Sequence, residues 1–234
     1  MAIQQYLAMT ASEIAAASVL PAQIAWMACH FSPYGTGLSN CPDRLPPGSL
    51  LILNDRTPIH LHDPLRVACQ LNERLEKLSC AGLLLDFQRP GCEETAHLSA
   101  FLTDTLPFPV AVSSLYARYT DSPVFLPSLP CHIPLEKYIA PWRGREIWLE
   151  LALDCQELLL TPKGCRIRSV PRPEPFAAFH RDERLCCRYR PQVSNEEAVF
   201  TLLRTRDDLA DLISQAEQLG ITATVGLGQE LREK

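Results

Sequence analysis

The sequence has no Cys-x-x-Cys pair, although ten of its 234 residues are cysteine. Without that spacing, no structural zinc site can be read from the chain. Adjacent Cys186-Cys187 and the dipeptides Cys29-His30 and Cys131-His132 do not supply an alternative zinc spacing. Cys29, Cys69 and Cys80 fall within apolar stretches, where a reduced cysteine behaves as a small hydrophobe. Reduced thiols are therefore expected. Basic excess is also lacking: 22 Lys and Arg face 27 Asp and Glu, a formal charge of −5. That balance gives no electrostatic case for nucleic acid or an anionic membrane as partner. No apolar run approaches the roughly 18 residues of a membrane span. The first 26 residues carry no basic segment and interrupt their apolar residues with Ser12 and Glu13, so they do not read as a secretory leader. The expectation is a soluble, cytoplasmic protein. Ser32-Pro33-Tyr34-Gly35-Thr36-Gly37 lacks the spacing and helix start of a phosphate loop, and neither metal nor cofactor is expected. His60 and His62, flanking Leu61, read as a solvated loop pair.

What the chain does contain is an alternation of short apolar runs with amphipathic stretches, the pattern of strand-helix repeats around a mainly parallel sheet. Strands are predicted at residues 24–29, 50–53, 82–85, 109–112, 124–126, 147–153, 198–203 and 222–226. Eight strands in one chain of this length predict a single (β/α)8 barrel over residues 1–234, with residues 82–86 as its third strand. Asp63 and Pro64 supply an N-cap and first-turn proline for a helix with an apolar face of Leu65, Ala68, Leu71, Leu75 and Leu78. Thr205 caps a second helix, with Leu209, Leu212, Ile213, Ala216 and Leu219 on its face and Gly220 as its stop. Residues 113–122 and 127–145 are rich in proline and poor in helical pattern, which predicts shortened helices there. Residues 157–168 read as a β-hairpin inserted after the sixth strand, turning at Thr161-Pro162-Lys163-Gly164, and residues 170–191 as loop.

The stretch Ala81 to Pro90, AGLLLDFQRP, carries the chemistry. Its apolar run Gly82-Leu83-Leu84-Leu85 reads as a strand buried on both faces that delivers Asp86 and Gln88 at its C-terminal end. Taken alone, it is also compatible with any barrel or doubly wound strand ending in an ordinary aspartate. It resembles the signature strand of the chitinase-like glycoside hydrolases, D-G-x-D-x-D-x-E followed shortly by Pro. Gly82, Asp86 and Pro90 match that pattern, while Ala81 and Leu84 replace its first two aspartates and Gln88 its glutamate. In that family the substrate's acetamido group is the nucleophile and the strand glutamate the proton donor. The resemblance therefore implies binding without turnover, because a glutamine amide can hydrogen-bond a glycosidic oxygen but does not titrate near neutral pH.

In a barrel the site lies at the C-terminal ends of the strands. The polar residues there are His30, Asn54, Asp55, Arg56, Asp86, Gln88, Ser113, Ser114, Tyr116, Glu150, Asp154, Arg204, Gln229 and Glu230. Asp86, Gln88 and Asp55 are the candidate catalytic set, and His30, Asn54, Tyr116, Glu150, Gln229 and Glu230 the candidate binding set. Asp55 also reads as the start of a turn that pairs with Arg56 or a helix N-terminus. The aromatics Phe31, Tyr34, Phe87, Trp142 and Trp148 suit either sugar faces or the core. Ser113 and Ser114 lack the context of a nucleophile elbow. Two readings follow: a degenerate chitinase-like barrel that binds an oligosaccharide, another sugar-containing small molecule or a protein partner, and an active enzyme whose acid is relocated to Asp86, Asp55, Glu150 or Glu230.

Overall fold

The computed structural model describes residues 2–21, 23–33, 37–57, 59, 63–173, 178–194 and 196–231. Strand β1 (Gln4–Met9) leads through the short helix α1 (Ala11–Ala16) into β2 (Ile24–Phe31), and a two-residue β3 (Leu38–Ser39) folds back on it. Then come β4 (Leu50–Asn54), α2 (Pro64–Lys77), β5 (Gly82–Asp86), α3 (Glu93–Thr105), β6 (Val110–Ser113), β7 (Val124–Leu126), α4 (Leu135–Ile139) and β8 (Ile147–Leu151). After an excursion through β9 (Cys155–Thr161), β10 (Gly164–Ser169), β11 (His180–Asp182), β12 (Cys187–Val193) and β13 (Ala198–Leu203), the chain resumes with α5 (Arg206–Gln218), β14 (Ala223–Leu227) and α6 (Gly228–Leu231).

Eight parallel strands close on themselves in the order β1-β2-β4-β5-β6-β7-β8-β14, with β14 paired back to β1. This is the (β/α)8 barrel expected. Its membership differs from the sequence reading in two strands. β1 was not anticipated, because QQYLAM is short and half polar with only its later residues buried. Residues 198–203 are not a barrel strand: β13 lies between β9 and β12 in a separate five-stranded antiparallel sheet, order β10-β9-β13-β12-β11. A half-buried apolar run reports burial, not which sheet receives it. The β9–β10 hairpin forms as expected, with Thr161 opposite Gly164, but it follows the seventh barrel strand. Residues 180–182 and 187–193 are strands rather than loop. In β12, Cys187 and Tyr189 turn toward Leu202, and the intervening arginines and Pro191 conceal that alternation in the sequence. Gly82–Asp86 is the fourth barrel strand, not the third.

The barrel interior is filled by every second residue of its strands, including Tyr6, Ile52, Leu84, Phe125, Trp148 and Val225. Outside it, two apolar layers lie beneath the helices, one under α2 and α3 and the other around α5 and α4. Both anticipated caps form: Asp63 accepts from the Arg66 N–H, and Thr205 builds a reciprocal capping box with Asp208. Within α2, Leu71 and Leu75 are fully buried, whereas Leu65 in the first turn projects into solvent at 59 % exposure. The proline-rich stretches hold only a 3-10 turn at Ala117–Tyr119, the five-residue α4 and a second such turn at Ala140–Trp142.

Gly82 opens β5 against the neighbouring chain. A Cβ there would sit 2.6 Å from the Pro109 carbonyl oxygen, which accepts the Leu83 N–H at 2.9 Å. Gly82→Ala should therefore destabilise the fold by about 1–3 kcal/mol, the usual cost of forcing atoms into a packed site. Urea unfolding of the variant beside the wild type measures it, and an unchanged midpoint would refute the close-approach argument.

Candidate functional site

At the C-terminal ends of the strands the barrel opens into a cavity of about 390 Å³. Among the described residues, every barrel strand but β6 contributes to its wall or to the loop directly after. Ile52, Leu84, Phe125 and Val225 form an apolar floor, Met27 and Leu227 extend it, and Asn54, Asp55, Arg56, Asp86, Gln88 and Glu150 form a polar rim. Period-two alternation produces this division: Ile52 and Asn54, like Leu84 and Asp86, point inward from the same face of one strand.

Asp55 and Asp86 do different work. Asp55 is 6 % exposed, and its Oδ2 accepts the backbone N–H groups of Gln88 at 3.0 Å and Arg89 at 2.8 Å. It fastens the chain leaving β5 to the end of β4, which accounts for its burial without a catalytic task. The pairing expected for Asp55, with Arg56 or a helix N-terminus, is not the one that forms: it is Asn54 that accepts the Arg56 N–H. Asp86 accepts from the Gln88 side-chain amide, so Gln88 is held over the cavity by the carboxylate two residues before it. Burial pushes the Asp86 carboxyl above its ordinary value, the Gln88 amide draws it back, and the Asp55 charge pushes it up again. Glu150, on β8, also lines the cavity. Burial raises its pKa, the Ser128 N–H donated to Oε2 at 3.1 Å lowers it, and the charges of Asp86, Asp154 and Glu230 raise it further.

Asn54 holds the rim in place by donating from Nδ2 to the Met27 carbonyl at 3.1 Å and accepting the Arg56 N–H on Oδ1. The other binding candidates do not line this cavity. His30 Nδ1 is 3.0 Å from the Ala28 carbonyl oxygen. Tyr116 is buried and donates its hydroxyl to the Arg89 carbonyl, while Ser113 donates to that of Phe87 at 2.8 Å. Glu230 Oε2 accepts the Leu153 N–H at 2.8 Å, and Gln229 is exposed on α6. Arg204 is fully buried and donates to backbone carbonyls, among them those of Leu185, Cys186 and Pro130. Phe31, Phe87 and Trp148 are core residues, and Trp142 packs on the outer layer around α4 and α5. Tyr34, His60 and His62 lie outside the described residues. Sequence reasoning missed Phe125 and Met27. Both lie on inward-facing registers of barrel strands, a signal readable only once the barrel's membership is known.

Chemically, the Gln88 amide can offer a remaining N–H and its carbonyl oxygen to a ligand, but not a proton. Among the described residues no group of three His, Cys, Asp or Glu side chains could hold a metal ion, and no helix is long and apolar enough to cross a membrane.

No protein-family profile and no curated protein sequence matches the chain. Solved structures do. The class V chitinase from Nicotiana tobaccum superposes with a TM-score of 0.62 at 9% identity, over 100% of this chain and 95% of that one. The chitinase-like agglutinin RobpsCRA from Robinia pseudoacacia gives 0.62 at 10% identity, over 98% and 96%. The Bacillus cereus spore cortex-lytic enzyme SleL gives 0.60 at 10% identity, over 99% of this chain and 72% of that one. At such identities these likenesses define the fold alone: a TIM-type (β/α)8 barrel, here with an antiparallel sheet inserted after β8.

Two predictions follow from the carboxylates. Asp55→Ala strands two backbone N–H groups in a buried position and should cost roughly 2 kcal/mol of stability, read by denaturant unfolding. A smaller loss than in surface-aspartate controls is not compatible with this clamp. Asp86 has a raised folded pKa, so its contribution to stability is fully present below the unfolded value of about 3.9 and lost as pH rises through the folded value. Asp86→Asn removes that penalty. Its Tm should exceed that of the wild type at pH 7, and the difference should shrink as pH falls into the carboxylate range; a difference independent of pH would contradict this.

Proposed function

We propose that this protein binds an N-acetylated amino-sugar oligosaccharide in the barrel-mouth cavity without hydrolysing it. One observation carries the reading: the group held over the cavity by Asp86 is the amide of Gln88, where hydrolysis by this strand requires a carboxylic acid. The apolar floor with its polar rim suits a sugar ring whose faces are apolar and whose edges carry hydroxyls. Two solved relatives of the fold lend support. One is described as a chitinase-like agglutinin, and a glutamate-to-glutamine variant of the tobacco chitinase was crystallised in complex with NAG4. Ten thiols without a disulfide favour a reducing compartment such as the cytoplasm, and hence a soluble oligosaccharide or cell-wall fragment over an insoluble polymer.

The test pairs calorimetric titration of tetra-N-acetylchitotetraose with turnover of aryl N-acetylglucosaminides. We expect saturable binding, lost in Asp86→Ala, and turnover slower than that of a chitinase by at least the roughly hundred- to ten-thousand-fold that a general acid contributes. Gln88→Glu should restore little, because the supporting aspartates are Ala81 and Leu84 here and leave the new carboxyl's pKa untuned. Robust wild-type turnover abolished by Glu150→Gln would instead establish the second reading, an enzyme with a relocated acid, which the placement of Glu150 on the same cavity favours. No binding of any glycan would leave a protein-binding role.

A further inference from the structure

Beside the barrel mouth, two thiols lie together that take no part in the cleft. Cys29 is fully buried near the end of β2, where pairing with β4 shifts register between Trp26 and Cys29. Cys41, two residues beyond β3, is half-buried. Their sulfurs are 3.1 Å apart, one thiol donating to the other. A disulfide bond is about 2.05 Å long, so an approach of about 1 Å separates this contact from a covalent link, within reach of side-chain adjustment. The chain around Cys41 is held for it. Trp26 Nε1 donates to the Asn40 carbonyl at 2.8 Å, and Asn40 takes a left-handed φ of 54° that turns the backbone into Cys41.

The two thiols also differ in character. Hydrogen bonding from Cys29 lowers the Cys41 pKa, burial opposes this, and the Arg74 guanidinium lowers it again. Cys29 moves the other way, raised by that same hydrogen bond, by burial and by the Cys41 charge. Cys41 is thus both the more accessible thiol and the one biased toward thiolate, the nucleophilic form. No other sulfur-sulfur contact of this kind occurs among the described residues: Cys187 gives its S–H to the backbone carbonyl of Cys131, and Cys69 and Cys165 are exposed.

We infer that Cys29 and Cys41 are a peroxide-responsive pair that closes to a disulfide, joining β2 to the segment beyond β3. The Cys41 thiolate attacks one oxygen of hydrogen peroxide; an S–O bond forms, the O–O bond breaks, and the departing hydroxide takes up a proton to become water. The Cys29 thiol then loses its proton and attacks the Cys41 sulfenic sulfur, forming the S–S bond and expelling the hydroxyl as a second water. Two thiols are oxidised by two electrons and one peroxide is reduced. The link would fasten the segment beyond β3 to the strand that supplies Met27 to the cavity wall.

The experiment treats the folded, full-length chain with a small excess of hydrogen peroxide, caps remaining thiols with N-ethylmaleimide and maps peptides without reduction. The expected product is a cross-linked peptide pair carrying Cys29 and Cys41, lighter by two hydrogens, formed before any other cross-link and reversed by dithiothreitol. In Cys41→Ser it should vanish and Cys29 should be recovered capped. In Cys29→Ser, dimedone should label Cys41, whose sulfenic acid now lacks its partner; if that variant does not fold, dimedone competing in the wild-type reaction gives the same reading. Recovery of both residues capped while Cys69 and Cys165 have oxidised, or cross-links dominated by other pairs, would overturn the inference. A cross-link without dimedone labelling of Cys41 would overturn its place as the attacking thiol.

Discussion

Closure of the barrel by β1 is the constraint on which the rest of the structure depends. This strand pairs with β14 from Gln4 to Ala8 and with β2 from Leu7 to Met9, so that neither neighbour presents an open edge. Its inward residues complete the interior, where the Tyr6 ring stacks with Trp148 at 6.5 Å, and Ala8 supplies one wall of the cavity. Without it, the other seven strands would form an open sheet with a face of large apolar residues and no enclosed mouth. Pairing geometry, not the strength of any one contact, therefore creates the site.

The inserted sheet is fixed to the barrel by a buried charge. Arg204 follows β13 at 1 % exposure and donates to the carbonyls of Cys186, Leu185 and Pro130 at 3.1, 3.3 and 3.4 Å, and also to that of Leu129. These acceptors belong to the chain preceding β12 and to the loop after β7, so one guanidinium spans insert and barrel. Buried charge is costly unless its donors are satisfied, and the planar fork of arginine does this with backbone oxygens where lysine could not. Asp208 adds a negative group nearby, accepting from Arg188 Nε at 3.3 Å while closing the cap of α5. The helix start read from the sequence at Thr205 thus also takes part in joining the inserted sheet to α5.

Within the cavity, the two aspartates at neighbouring strand ends show how position separates chemistry from architecture. Asp55 spends its acceptor capacity on backbone N–H groups, whereas Asp86 spends it on the side chain of Gln88. The first interaction sets the path of residues 87–89 and the second sets the pose of the amide, so the geometry around Gln88 depends on both. The Gln88 amide offers a remaining N–H and a carbonyl oxygen there but no proton, while the carboxyls of Asp86 and Glu150 lie on the same cavity.

The sequence by itself determined what depends on local chemistry. Apolar runs bounded by turn residues marked seven of the barrel strands, and Asp63 and Thr205 marked helix starts through side-chain capping. Tertiary structure decided what depends on partners distant in the chain. Residues 198–203 carry the apolar pattern of a barrel strand yet pair with β9 and β12, and Gln4–Met9 carries a weak pattern yet closes the barrel. Which strand ends face one cavity follows from register, so Glu150 and Phe125 enter the site while Tyr116 turns to the Arg89 carbonyl and His30 to its own strand. The physical reason is common to all of these. Side-chain type and spacing report burial and capping within a few residues, but hydrogen-bond pairing between strands far apart in the chain selects which of those residues meet.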